Sequence, residues 1–161
     1  AYRAGGPALG VVVLMLDITK GVLPIVLAKD VLGIAGVPLA LVAALPVAGA
    51  AFSPFLGFHG GKALAVLLGS WIGLTLWTIP LVAVVAIVLA VLLIEPDGWA
   101  VAIALAAMLV GVLLWVPERA LLLTLLVQVG IILWKHRVQL AETPRRRRRG
   151  ARHQRAAGPP T

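Results

Sequence analysis

The chain has 161 residues, 61% of them hydrophobic, a mean hydropathy of +1.07 and a formal net charge of +8. A soluble domain of this length is only about half apolar, and this chain lacks the polar surface such a domain would need. Cysteine is absent, which excludes disulfides and thiolate metal sites. Several apolar runs approach the roughly 20 residues that cross a bilayer core. Composition therefore predicts an all-α, polytopic transmembrane helix bundle.

In chain order, the first predicted span runs from Ala8 to Ala28 and contains Asp17 and Lys20. There is no initiator Met and no charged n-region before it, so the chain reads as beginning inside a longer sequence, without a cleavable signal peptide. A break at Lys29–Gly36 precedes a second span, Val37–Phe52, which leads into SPFLGFHGGK. The stretch from Ala63 to Ile94 is too long for one crossing. Thr78-Ile79-Pro80 is the expected divider, because proline disfavours helix at the residue before it. That gives spans Ala63–Trp77 and Pro80–Ile94. Glu95-Pro96-Asp97-Gly98 reads as a turn. Trp99–Val116 and Ala120–Trp134 complete about six spans, separated at Pro117-Glu118-Arg119. No internal repeat is evident, which weakens a transporter reading.

Charge is concentrated at the C-terminal end. Nine of the 14 Lys and Arg lie from Lys135 onward, including the run Arg145–Arg149. The expected organisation is a transmembrane domain over residues 1–136 and a basic, disordered tail over 137–161. Six crossings put both ends on one side, and the positive-inside rule makes that side cytoplasmic. The loops bearing His59/Lys62 and Glu95/Asp97 then face the cytoplasm too. Tryptophans 71, 77, 99, 115 and 134 fall mostly near predicted helix ends, as in an interfacial belt. A polybasic segment beside a span gains about 1 kcal/mol per Lys or Arg at an anionic surface. The tail is thus expected to meet membrane lipids and not nucleic acid, a solvated topology signal being the other reading.

Three places carry candidate chemistry. Asp17 and Lys20, three apart on one helix, share a face. Either they neutralise each other and fix packing, or they serve a site. Gly21 and Pro24 follow, a place for a kink. Gly57-Phe58-His59-Gly60-Gly61-Lys62 combines two adjacent glycines, a lysine and a helix start, the ingredients of an anion cradle. A plain connector explains the same residues, and the spacing of a nucleotide P-loop is absent. His136, between Lys135 and Arg137, is either part of a snorkelling interfacial cluster or a second cationic wall for a phosphate. His59, His136 and His153 have no metal-ligand spacing. No catalytic nucleophile or base is assigned.

These pieces together resemble the bacterial acyl-phosphate:glycerol-3-phosphate acyltransferase family (the PlsY type). Leu16–Pro24, LDITKGVLP, is similar to its LDxxKGxLP segment. Phe52–Lys62, FSPFLGFHGGK, is similar to GHxFPVFLxFKGGKG, and Trp134–Arg137 to the YRHR-type end of its last helix. Counting back from Asp17, Arg3 falls on the arginine that closes the family's GSGNxGATNxxR motif. The resemblance implies a diverged chain lacking the glycines of that motif and the first of seven helices. It also implies acyl transfer from acyl phosphate to the 1-hydroxyl of glycerol 3-phosphate, yielding lysophosphatidate for phospholipid synthesis in a bacterial plasma membrane. By motif, Arg3, Gly60, Gly61, Lys62 and His136 would bind the two phosphates. The resemblance implies no metal and no cofactor: positioning and charge stabilisation would suffice, because acyl phosphate is already activated. The sequence departs from the pattern at Ala50 (histidine in the pattern), Ser53 (proline), His59 (lysine) and Ala63 (glycine). The alternatives are a non-catalytic membrane homologue that binds lipid or acts as a scaffold, and a small transporter subunit.

Overall fold

A computed structural model describes residues 2–52, 63–95, 97–116, 118–143 and 145–146. Helix α1 spans Tyr2–Val26 and continues through a π-helical turn, Leu27–Val31. Helices α2 (Gly36–Ala51), α3 (Leu64–Thr75), α4 (Thr78–Leu93), α5 (Asp97–Trp115) and α6 (Arg119–Lys135) follow. A short α7 (Arg137–Leu140) comes next, and strands β1 (Ile94–Glu95) and β2 (Arg145–Arg146) pair antiparallel. α1 and α5 are long and apolar enough to cross a membrane, over Ala8–Val31 and Gly98–Trp115, whereas α2, α3 and α4 are apolar but shorter.

The outside of the bundle is apolar. Leu9, Val12 and Leu16 on α1, Leu41 and Leu45 on α2, Leu81 and Leu92 on α4, and Leu113 and Leu114 on α5 are all exposed. A surface of this kind fits solvation by lipid, since water would be expelled from it. Lipid supplies no hydrophobic drive between helices, so close packing and hydrogen bonds must hold them together.

Both devices meet on α3. Toward α1 its contact face is Gly69, Ser70 and Gly73. A methyl group on Gly69 would collide with the Ile18 carbonyl. One on Gly21 would lie 2.8 Å from the Ser70 nitrogen, and one on Gly73 would lie 3.0 Å from Ile25 Cβ. The two backbones therefore touch, and α1 and α3 run parallel. Toward α6, the buried Trp71 indole donates to Gln128 Oε1 at 2.8 Å. Gln128 Nε2 in turn donates to the Ala43 carbonyl of α2 at 2.9 Å. Thr124 Oγ1 donates to the carbonyls of Ala40 (3.2 Å) and Ala120 (3.0 Å). One buried amide thus ties α2, α3 and α6 at mid-depth.

The element boundaries lie close to those expected, with three corrections. The break between α3 and α4 falls at Leu76–Trp77, where Leu76 takes φ 54, and not at Thr78–Pro80. Pro80 sits in the first turn of α4, where its missing N–H costs nothing. The non-helical dihedrals of α1 fall at Gly6 (φ 75), not at Gly21 or Pro24. Trp71 is no belt residue: it is fully buried, while Trp77, Trp115 and Trp134 are exposed near helix ends.

Candidate functional site

At one end of the bundle the end of α2 meets the α6–α7 turn, and the start of α5 meets α7 and the residues after it. At this end the Phe52 ring packs 5.6 Å from that of Trp134, at 45°. Lys135 Nζ lies 4.8 Å from the Phe52 ring centre, and Arg137 Cζ lies 5.4 Å from that of Trp134. These are cation–π distances. Phe52, at the end of α2, is thereby held against the turn that carries His136. Segment 53–62 itself, with Gly60, Gly61 and Lys62, lies outside the described residues. Arg3 lies within the first helical turns of α1, and its side chain is also outside the described set.

The sequence cluster Lys135-His136-Arg137 divides in space. Lys135 and Arg137 lie against aromatic rings, and Arg137 also donates to the Trp134 carbonyl at 3.2 Å. His136 is turned inward and 1% exposed. Its Nδ1 lies 2.9 Å from the Ile132 carbonyl. A carbonyl oxygen only accepts, so Nδ1 carries the hydrogen of this bond. Of the two readings open for His136, burial disfavours the snorkelling cluster, because a snorkelling group keeps its head in water.

Ala63 closes the segment before α3 with φ 58, ψ 11. This is the left-handed region that favours glycine, and the aligned family pattern has glycine at that position. The turn conformation thus fits a glycine although the residue is alanine. Ala50, where the pattern has histidine, packs against the apolar core. Asp17 and Lys20 form an ion pair of 2.6 Å on α1, half exposed, which is the neutralising reading of the two. Among the described residues, no three His, Asp or Glu side chains gather as metal ligands.

The family model described as "Glycerol-3-phosphate acyltransferase" matches residues 1–144. The chain belongs to this family. A glycerol-3-phosphate acyltransferase of Solidesulfovibrio magneticus is 30% identical over 147 residues, covering 86% of this chain and 68% of the relative. One from Leptospira borgpetersenii is 45% identical over 74 residues, 45% of this chain. That match covers 34% of the relative, and the match to a Thermotoga maritima relative covers 41%, so the chain spans well under half of these two relatives. The fold is similar to the crystal structure of PlsY (YgiH), an integral membrane glycerol 3-phosphate acyltransferase, in its glycerol 3-phosphate form. There the TM-score is 0.78 at 24% identity, over 87% of this chain and 70% of that one. The lysophosphatidic acid form of the same protein is equally similar.

Sequence reasoning about this acyltransferase-family chain missed three features. The Gly69–Gly73 spacing on α3 was readable as a small-xxx-small helix contact. Gln128 was readable as a polar residue inside a span that needs partners. The pairing of the tail with β1 carried no sequence signal beyond Glu95 and an arginine run.

Proposed function

We propose that this chain is a membrane-embedded acyltransferase that moves a fatty acyl group from acyl phosphate to glycerol 3-phosphate. The family match over residues 1–144 carries the reading. A fold shared with a protein captured in glycerol 3-phosphate and lysophosphatidic acid forms supports it. The 1-hydroxyl oxygen attacks the acyl carbonyl and forms the new ester bond. The bond from the acyl carbon to phosphate oxygen breaks, and the hydroxyl proton passes to a phosphate oxygen. The products are lysophosphatidate and inorganic phosphate. Lys62, the Gly60-Gly61 backbone, His136 and Arg3 hold the two phosphates and offset the charge that develops between them. His136 would act from a buried position, where a charge-assisted contact is stronger than in water.

In this reading the bundle crosses a bacterial plasma membrane six times, with the C-terminus and the site on the cytoplasmic side. The parallel course of α1 with α3 and of α2 with α6, and the place of the Arg145–Arg149 run in the sequence, support it. The chain has no native cysteine, so single cysteines report cleanly. In intact cells an impermeant thiol reagent should label Ile34→Cys and spare Ala151→Cys; the opposite pattern overturns the orientation.

Membranes carrying the chain should form lysophosphatidate from acyl phosphate and glycerol 3-phosphate, read by mass spectrometry. Lys62→Ala should weaken this by roughly tenfold to more than a hundredfold, from about 1.5–3 kcal/mol per charge-assisted contact. Near-normal transfer by Lys62→Ala would reject the phosphate cradle. A complete lack of transfer by the unaltered chain would favour a second reading, a non-catalytic lipid-binding homologue. Ala50, apolar and packed against the core at a position where the family pattern has a histidine, is the observation on that side.

A further inference from the structure

Helix α6 presents two different faces. Thr124 and Gln128 turn inward and are hydrogen-bonded to α2 and α3. Leu123, Val127, Gly130 and Trp134 are exposed. Their steps of four, three and four residues align them on one side of the helix. Gly130 makes a notch in this stripe, since a methyl group placed there would meet nothing within 4 Å. At about 1.5 Å of rise per residue, the stripe from Leu123 to Trp134 is roughly 16 Å long. One leaflet of a hydrocarbon core about 30 Å thick is about 15 Å deep. The stripe therefore matches the reach of one lipid acyl chain.

The stripe ends on cations. Arg137 is exposed just beyond Trp134, with its Cζ 5.4 Å from the Trp134 ring centre. Only its Nη1 is engaged, on the Trp134 carbonyl at 3.2 Å, so the other guanidinium nitrogen donors stay available. Lys135 Nζ rests 4.8 Å from the Phe52 ring centre and has no hydrogen bond among the described residues. The ion pair among those residues is that of Asp17 with Lys20, so no described carboxylate neutralises Lys135 or Arg137. The exposed Trp134 indole N–H also lacks an acceptor among the described residues. The Trp71 indole has Gln128 and the Trp99 indole has the Glu142 carbonyl. A guanidinium, an ammonium and an indole donor thus stand together at one end of an apolar track, with a net positive charge.

We propose that this face of α6 binds one anionic phospholipid. An acyl chain lies along Leu123, Val127 and the Gly130 notch. The headgroup phosphate is held by Arg137, with the Trp134 indole N–H and the Lys135 ammonium beside it. A guanidinium can grip a phosphate through two parallel hydrogen bonds, which fixes the headgroup in place as well as attracting it. Two cations without carboxylate partners select a lipid of net negative charge over a zwitterionic one, whose own cation they repel. The site goes beyond the acyltransferase reading and does not depend on it.

The test titrates the full chain in detergent with phosphatidylglycerol or phosphatidylcholine and reads bound lipid by native mass spectrometry, in samples of unchanged helix content. One phosphatidylglycerol should be retained in preference to phosphatidylcholine. Arg137→Gln and Lys135→Gln should each weaken its retention by about fivefold. Gly130→Phe fills the notch from open space, so the fold should persist while retention falls. Leu81→Phe, on the exposed face of α4, should leave retention unchanged. Equal retention of the two lipids overturns the proposal, as does unchanged retention in Arg137→Gln. An equal fall in Gly130→Phe and Leu81→Phe would mean a general lipid coat and no site. Displacement by inorganic phosphate or glycerol 3-phosphate would make the ligand a free phosphate. Preferential displacement by lysophosphatidate would make the stripe part of the acyltransferase site. A dimer free of lipid would make the occupant a second copy of the chain. Each of these three results also overturns the proposal.

Discussion

The two sides of α3 solve one problem in opposite ways. Toward α1, three small residues let backbones meet, and stabilisation comes from dispersion over a surface that has no room left. Toward α2 and α6, Trp71 and Gln128 bring polar atoms inside and stabilise by giving each a partner. The first seam cannot accept an added atom. The second cannot lose one, because a polar group left alone in an apolar interior costs more than the bond itself contributes. Chemically conservative substitutions should therefore have very different effects on the two sides of one helix.

The largest effect is expected from Gly69→Leu. Its side chain has no space against Ile18, so α1 and α3 must separate or the backbone must shift, at about 1–3 kcal/mol or more. Chemical unfolding in detergent should show a strong loss of stability, and a near-normal midpoint would break the close-contact account. Next comes Gln128→Leu, which keeps volume but strands the Trp71 indole. A cost of about 1–3 kcal/mol is expected. Trp71→Phe made on top of it should restore part of that loss, since the stranded donor is then gone. Failure to recover would mean that packing, not hydrogen bonding, holds this seam.

Ala63→Gly tests the connection into α3 and should raise stability. It removes a side chain from a left-handed backbone that penalises one by about 1–2 kcal/mol, offset by the entropy glycine adds to the unfolded chain, about 0.5–1 kcal/mol. A loss of stability would argue against the conformation at φ 58. The smallest effect is Thr124→Val, which removes one hydroxyl shared between two carbonyls. About 0.6 kcal/mol is typical for such a bond in a membrane protein. A larger loss would mark Thr124 as part of the Gln128 lock and not an accessory to it.

The helices were legible because apolar length and the punctuation of Pro, Gly and charge govern where spans begin and end. Val37–Phe52 was expected and Gly36–Ala51 is observed; Ala120–Trp134 was expected and Arg119–Lys135 is observed. What hydropathy cannot rank is neighbours. Leu74 and Leu76 score alike, yet one is buried and the other exposed. The seams of α3 are set by side-chain size and hydrogen-bonding capacity, which an average over a window erases. At the site, His136 was legible as a cation at a helix end, but not its burial. That burial goes with the turn between α6 and α7, and α7 lies against the start of α5, where a methyl group on Gly98 would meet Gln139. Gly60, Gly61 and Lys62 were legible by motif alone and lie outside the described residues, so their roles rest on the proposal.

The parallel pairing of α1 with α3 has a consequence for biosynthesis. These helices are not consecutive, so α1 is made, and must be held by the bilayer, before its main partner has left the ribosome. During that interval an isolated charge in its middle would pull the helix back toward water. Asp17 and Lys20 remove the difficulty within α1 itself, since the ion pair closes across one helical turn and needs no neighbour. Even in the finished fold only 17% of an 18-residue stretch within Ala8–Val31 is buried. The segment is thus equipped to wait in lipid, its charge already balanced, until Gly69 arrives to meet Gly21 and Gly73 to meet Ile25.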